Sequence, residues 1–287
     1  MSARRGTTGR GTTARARSGR AAARAVPVAT AVGLLLTACA AGPGTGAPAG
    51  TASGAPTGSA SSRAPLTGQL VVFAAASLQQ TFTALGDRLM AQNPGLHIIF
   101  SFGASSTLAQ QLEQGAPADV FASANPATMK AASAVTDRPV TFAHNSLEIV
   151  VPAGNPGHVT GLADFAKPQL KIALCAVEVP CGSAAATAFA AAGITPAPDT
   201  YEKDVTATLT KAVLGEVDAA LVYRTDVRSA GDKVQGIDFP QASAARNDYP
   251  IATVAGARNH AAAQAFVDLV LSAQGQKVLT DAGFDAA

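Results

Sequence analysis

Tryptophan is absent from this 287-residue chain, and aromatic residues make up only 5% of it. Its core must therefore be built mainly from aliphatic and small side chains. Long apolar runs are missing too. Hydrophobic residues reach 48%, but alanine dominates that share, and no stretch has the roughly 20 apolar residues that a membrane-spanning helix needs. Charge is scarce, at 14% of residues, and uneven. Seven of the 21 basic residues (Arg4, Arg5, Arg10, Arg15, Arg17, Arg20 and Arg24) fall in the first 24 positions, where there is no acid. Residues 39–287 keep 14 basic and 19 acidic groups, a net charge of −5. That balance argues against a nucleic-acid-binding protein, which presents a basic face. The four histidines, His97, His144, His158 and His260, show no ligand spacing with the few cysteines, so no site for a free metal cation is expected.

The basic start, an apolar stretch from Ala25 to Ala38 and small residues at its end have the layout of an export signal over residues 1–38. Leu36-Thr37-Ala38-Cys39 resembles a bacterial lipobox, in which Cys39 is acylated and becomes the new N-terminus. An ordinary signal peptide with an incidental cysteine is the alternative. Residues 39–66 are nearly all Gly, Ala, Pro, Ser and Thr, too poor in apolar bulk to build a core, and read as a flexible tether. Together they place the protein outside the cytoplasm, lipid-anchored to the outer face of the cell membrane.

From Gln69 onward, buried strands alternate with amphipathic helices, which predicts an α/β fold with mostly parallel sheets. Leu70-Val71-Val72-Phe73 suits a strand buried on both faces. Ala74-Ala75-Ala76 then lets the chain turn into a helix from about Ser77 to Gln92, capped by Ser77, and such a start is a ready anion site. Strand His97–Phe102 and a helix opened by Gly103-Ala104-Ser105-Ser106-Thr107 repeat the move. Short segments follow at 119–123 (strand) and 127–134 (helix). Asn145–Pro152 reads as one strand carrying the first crossing between domains. Beyond it lie a strand at Leu170–Cys175, an Ala-rich helix stopped by Gly193, a helix capped by Asp204 and a buried strand at Ala219–Tyr223. Tyr249–Val254 is a return strand and a final helix carries Phe266, Leu269 and Val270.

Phe73-Ala74-Ala75-Ala76-Ser77-Leu78, Ser101-Phe102-Gly103-Ala104-Ser105-Ser106-Thr107-Leu108 with Gly115-Ala116-Pro117-Ala118-Asp119-Val120, and Asn145-Ser146-Leu147 resemble the molybdate-binding component of an ABC transporter. The likeness runs over nearly all of residues 69–285. It implies a two-domain periplasmic-binding-protein type II fold. Domain I would comprise residues 67–146 and 249–287, and domain II residues 147–248, with the ligand in the cleft between them. It also implies a monomer that holds molybdate or tungstate and partners a membrane permease and its ATPase, with no cofactor and no enzymatic activity. Carried onto this sequence, the family's ligand-binding positions are Ser77, Ser105, the backbone amides of Cys181 and Val205, and Tyr223. The family often has Ala where this chain has Cys181, a change that leaves a backbone donor intact.

The chemistry of these residues points the same way. A fully deprotonated tetrahedral oxyanion has only acceptor oxygens and calls for hydroxyls, backbone N–H groups and helix N-termini. Plain helix caps are the alternative for Ser77 and Ser105, and a structural tyrosine for Tyr223. Once Cys39 is acylated, Cys175 and Cys181 form an even pair in an exported protein, so a disulfide is expected, with free thiols as the alternative. Sulfate is the nearest rival ligand. A module that senses a ligand for a separate receptor, and a hydrolase using Ser77 or Ser105, are rivals of other classes. Neither serine lies in a Gly-x-Ser-x-Gly elbow, which argues against the hydrolase.

Overall fold

The computed structural model describes residues 64–287. The expected signal peptide, the acylation site at Cys39 and nearly all of the tether lie outside the described residues. The chain runs through β1 (Thr67–Ala75), α1 (Gln79–Gln92), β2 (Gly95–Gly103), α2 (Ser105–Glu113), β3 (Val120–Ala122), α3 (Pro126–Ala131) and β4 (Val140–Asn145). Next come β5 (Leu147–Pro152), β6 (Ile172–Cys175), α4 (Pro180–Ala192), β7 (Thr200–Glu202), α5 (Val205–Val213), β8 (Ala219–Tyr223), α6 (Arg224–Ala230) and β9 (Val234–Ile237). The chain closes with β10 (Asn247–Thr253), α7 (His260–Leu271), α8 (Ala273–Asp281) and β11 (Asp285–Ala286).

The strands form two sheets, one in the order β11-β4-β10-β3-β1-β2 and one in the order β7-β6-β8-β5-β9. Strand β1 lies inside the first sheet, parallel to both β2 and β3, which is why Leu70 and Val72 are fully buried and the run reads as continuously apolar. The sheets are mixed rather than mostly parallel. Strand β10 returns against both β3 and β4, and β5 enters the second sheet against β8 and β9.

Asn145–Pro152 is likewise two strands in different sheets, not one. Asn145 Oδ1 accepts the N–H of Ser146 at 3.0 Å, a local bond that competes with the ladder where the chain leaves the first sheet. Strands β4, β7 and β9 and helix α6 carry too few apolar residues in a regular pattern to stand out in the sequence. The helix expected over 127–134 is α3 followed by a 3-10 turn at Ala132–Ala134. Gly193 ends α4 at φ 65°, the left-handed backbone that glycine adopts without strain.

Each sheet is backed by its own core. Phe82 packs on Phe142 and edge-on against Phe266, with ring centroids 5.8 and 5.3 Å apart, beneath the first sheet. Phe165 and Phe189 do the same at 5.6 Å beside the second. Burying one such ring contributes about 1.5 to 3 kcal/mol, so the few aromatics fall where they anchor helices to sheets. Ala76 and Ala104, at the helix starts of the first sheet, are buried within the core of the second. Arg224 adds a polar tie, donating to the Gly283 carbonyl and to Asp285, at 2.9 Å in each case. No described helix is long and apolar enough to cross a membrane.

Candidate functional site

Strands β1, β2, β6, β7 and β8 all end on the same side of their sheets, and each hands over to a helix start. Where those edges meet lies a small cavity of about 20 Å³. Ser77 and Ser105 line it from the first sheet, and Cys181, Val205 and Tyr223 from the second. The structure thus brings all five residues singled out in the sequence to one place. No lysine or arginine lines this cavity among the described residues. A larger groove of about 700 Å³ near Asp119 and Arg258 has no such convergence of helix starts.

Neither serine is spent on capping. Ser77 sits inside a 3-10 turn, Ala76–Leu78, that precedes α1, and neither helix start receives a side-chain cap bond. The cap expected of Ser77 is therefore not made, because the turn places it within the helical start instead of before it. Its hydroxyl pairs with the Tyr249 hydroxyl at 3.0 Å. Ser105 is the first residue of α2, after Ala104, and its Oγ accepts the Ala124 N–H at 3.0 Å. With that lone pair filled, the Ser105 proton is free to donate elsewhere.

The second sheet contributes backbone donors. Val205 opens α5, so its N–H has no partner four residues back. Asp204 caps that helix, accepting the Ala207 N–H at 2.8 Å, and so turns its carboxylate to its own helix. Cys181 is the second residue of α4, behind Pro180, and its N–H is likewise without a helical acceptor. Cys175 and Cys181 are joined by a disulfide with Cα atoms 5.8 Å apart. The loop it closes is tight, since a Cβ on Gly182 would collide with the carbonyl of Ala176. Cys175 Sγ also lies 3.2 Å from Thr208 Oγ1, on α5.

Burial governs the titratable groups behind the cavity. It holds the Tyr223 phenol well above its usual range, with Tyr249 and Asp226 adding to the shift, so the hydroxyl remains a donor. Tyr249 is pushed up as well, first by burial. Asp226, at the third position of α6, is raised to about 7 by burial and by the charge of Asp204. The Tyr223 N–H that it accepts at 3.0 Å works in the opposite direction.

Residues 70–285 match the family model of bacterial extracellular solute-binding proteins. The chain belongs to that family. Among its relatives is the molybdate-binding protein ModA of Mycobacterium tuberculosis, 43% identical over 218 residues that span 75% of this chain and 84% of that protein. The molybdate-binding protein ModA of Escherichia coli is 32% identical over 240 residues, with 76% and 89% covered. The periplasmic molybdate-binding protein of Azotobacter vinelandii aligns in structure with a TM-score of 0.67 at 18% identity, over 76% and 99% of the two chains. The sulfate-binding protein SubI of M. tuberculosis aligns at 0.65 and 20%, over 76% and 87%. These last two likenesses establish the periplasmic-binding-protein fold and say nothing of the ligand. This solute-binding protein is accordingly not an enzyme.

Tyr249, Asn247 and Asp226 were not legible in the sequence as neighbours of the site, and Asn145 stood out only as part of the motif Asn145-Ser146-Leu147. Tyr249 reaches Ser77 from 172 positions away, a contact that only the tertiary fold creates.

Asp226 carries a pH signature. Its folded value lies above the ordinary 3.8, so the folded state holds the proton more tightly than the unfolded chain. That stabilisation is complete below about pH 4 and is lost as pH rises toward about 7. Asp226→Asn keeps an oxygen for the Tyr223 N–H. It should match the parent near pH 4 and exceed it at pH 8 by about 2 to 4 kcal/mol in denaturant titrations. An unchanged pH slope in the variant would contradict this.

Proposed function

We propose that this protein captures molybdate, and tungstate alongside it, outside the cytoplasm and delivers the anion to a membrane permease and its ATPase. The observation that carries the reading is the cavity itself. Four helix starts, two from each sheet, meet there with three hydroxyls and no cationic side chain. Such a site offers donors alone, and the anions it suits are those whose oxygens all accept. Phosphate retains a proton near neutral pH and would need an acceptor, and the one carboxylate at the rim, Asp204, is engaged by its own helix. The names of the relatives from M. tuberculosis and E. coli support the choice of molybdate.

On this reading Ser77, Ser105 and Tyr223 donate through hydroxyls, and Cys181 and Val205 through backbone amides. Residues 67–146 with 247–287 act as one domain and residues 147–246 as the other; the second boundary falls two residues before the 248/249 expected from the sequence, because Asn247 and Asp248 already pair with β4. The chain crosses between them at Ser146 and again between β9 and β10, and a bound anion bridges the two halves. Delivery to a permease, rather than signalling to a separate receptor, fits the membership of the solute-binding family.

Titration calorimetry with molybdate, tungstate, sulfate and phosphate tests the ligand. Molybdate and tungstate should bind far more tightly than the other two, and sulfate binding as tightly as molybdate would reject the assignment. Ser105→Ala and Tyr223→Phe should each weaken molybdate by about 1 to 3 kcal/mol, since each leaves a buried anion oxygen short of one donor. Unchanged affinity in both would show that these residues do not face the anion.

We place the protein at the outer face of the membrane through acylated Cys39, on the strength of Leu36-Thr37-Ala38-Cys39. Cell fractionation checks this: the parent should sediment with membranes and Cys39→Ala should not. A parent protein found only in the soluble fraction would exclude the anchor.

A further inference from the structure

Two asparagines stand side by side where the chain passes between the sheets. Asn145 ends β4, Asn247 begins β10, and the two are paired across the ladder. Both are buried, at 0% and 7% exposure, which is costly for an amide unless every bond it makes is well placed. Neither lines the cavity, but Asn247 touches Tyr223, which does, and Asn145 reaches the cavity residue Ser77 through Tyr249.

The orientation of the Asn247 amide is fixed by its surroundings. One side-chain atom lies 2.7 Å from the carbonyl oxygen of Ala124, and a backbone carbonyl can only accept, so that atom is the nitrogen. The second hydrogen of the same nitrogen then meets the Tyr223 hydroxyl oxygen at 3.0 Å. A phenol oxygen has one proton and, in the ring plane, two directions for bonds. With one direction taken by an incoming donor, the Tyr223 proton is left for the remaining acceptors, the neighbouring Tyr249 hydroxyl and an anion in the cavity. Burial keeps the phenol protonated.

Asn145 repeats the logic one step removed. Its Oδ1 accepts the Ser146 N–H at 3.0 Å, which turns Nδ2 toward Thr225 Oγ1 at 2.8 Å and the Tyr249 hydroxyl at 3.4 Å. Between the Tyr249 and Ser77 hydroxyls, 3.0 Å apart, either can donate, and a donor from Asn145 on the Tyr249 oxygen favours the arrangement in which Tyr249 donates to Ser77 Oγ. The Ser77 proton is then free for the cavity.

We infer that Asn247 and Asn145 are positioning residues that set the direction of the Tyr223 and Ser77 hydroxyl protons and so make the cavity donor-only, selecting against oxyanions that carry a proton. The inference rests on the reading of the cavity as an oxyanion site. It also ties selectivity to the crossings between the sheets, because Asn247 holds Tyr223 of the second sheet to Ala124 of the first.

The test is a double-variant cycle read by calorimetry with molybdate and with phosphate. Asn247→Leu keeps the bulk and removes both donors, which frees the Tyr223 oxygen to accept a proton from phosphate. Molybdate affinity should fall about three- to thirtyfold, and the preference for molybdate over phosphate should shrink by about tenfold or more. In the Tyr223→Phe background the same substitution should leave the preference within about twofold, because no hydroxyl remains to be turned. Equal shifts in the two backgrounds, or an unchanged preference in the single variant, would overturn the proposal. If Asn247→Leu fails to fold, Asn145→Leu with and without Ser77→Ala supplies the same comparison and the same two outcomes. A parent protein that binds no molybdate refutes the oxyanion reading and takes this proposal with it. Parent binding with equal shifts in both backgrounds refutes the asparagine role alone.

Discussion

Backbone N–H groups at a helix start have no partner within their own helix, and here four such starts face one small space. That arrangement is the constraint on which the rest of the structure depends. Each helix brings roughly half a unit of positive charge to its N-terminus, and none of it requires the desolvation of a lysine or arginine. The cores exist to hold these ends in place. Phe82, Phe142 and Phe266 fix the helices of the first sheet, and Phe165 with Phe189 fixes those of the second. Gly182 and the Cys175–Cys181 disulfide draw the start of α4 against the end of β6.

Behind the donors lies a buried polar layer that links the two sheets. Tyr223 and Tyr249 meet edge to face with ring centroids 6.0 Å apart, and the two asparagines bridge their hydroxyls to backbone carbonyls and to α6. Hydrogen bonds are stronger in such low-dielectric surroundings, and an unpaired group is correspondingly costly. The layer therefore ties the orientation of the site hydroxyls to the relative placement of the sheets. Asp226, beneath Tyr223, is the one carboxylate in this layer that burial brings near neutrality.

Much of the site was legible in the sequence because its residues announce themselves locally. A strand followed by small residues and then Ser77, a glycine followed by Ser105, and a proline before Cys181 are all signatures of strand-to-helix joints. The same signals misled in detail: Ser77 reads as a cap, yet the 3-10 turn that small Ala75 and Ala76 permit carries it past the cap position. The mixed sheets were hidden because the direction of a strand depends on how the chain crosses between sheets, and the crossing at Ser146 is held by Asn145 Oδ1 and by the distant Arg224 N–H, which donates to the Ser146 carbonyl. The asparagine and tyrosine layer was hidden for a plainer reason. Asn145 and Thr225 lie 80 positions apart, and Asn247 and Ala124 lie 123 apart. No local pattern joins them.

A crystal structure of the protein grown with molybdate, with the metal located by its anomalous scattering, tests the central claim most directly. The anion should lie in the cavity between the sheets, with its oxygens receiving the hydroxyls of Ser77, Ser105 and Tyr223 and the amides of Cys181 and Val205, and with no cationic side chain in contact. Molybdate bound elsewhere, or held by lysine or arginine, would contradict it.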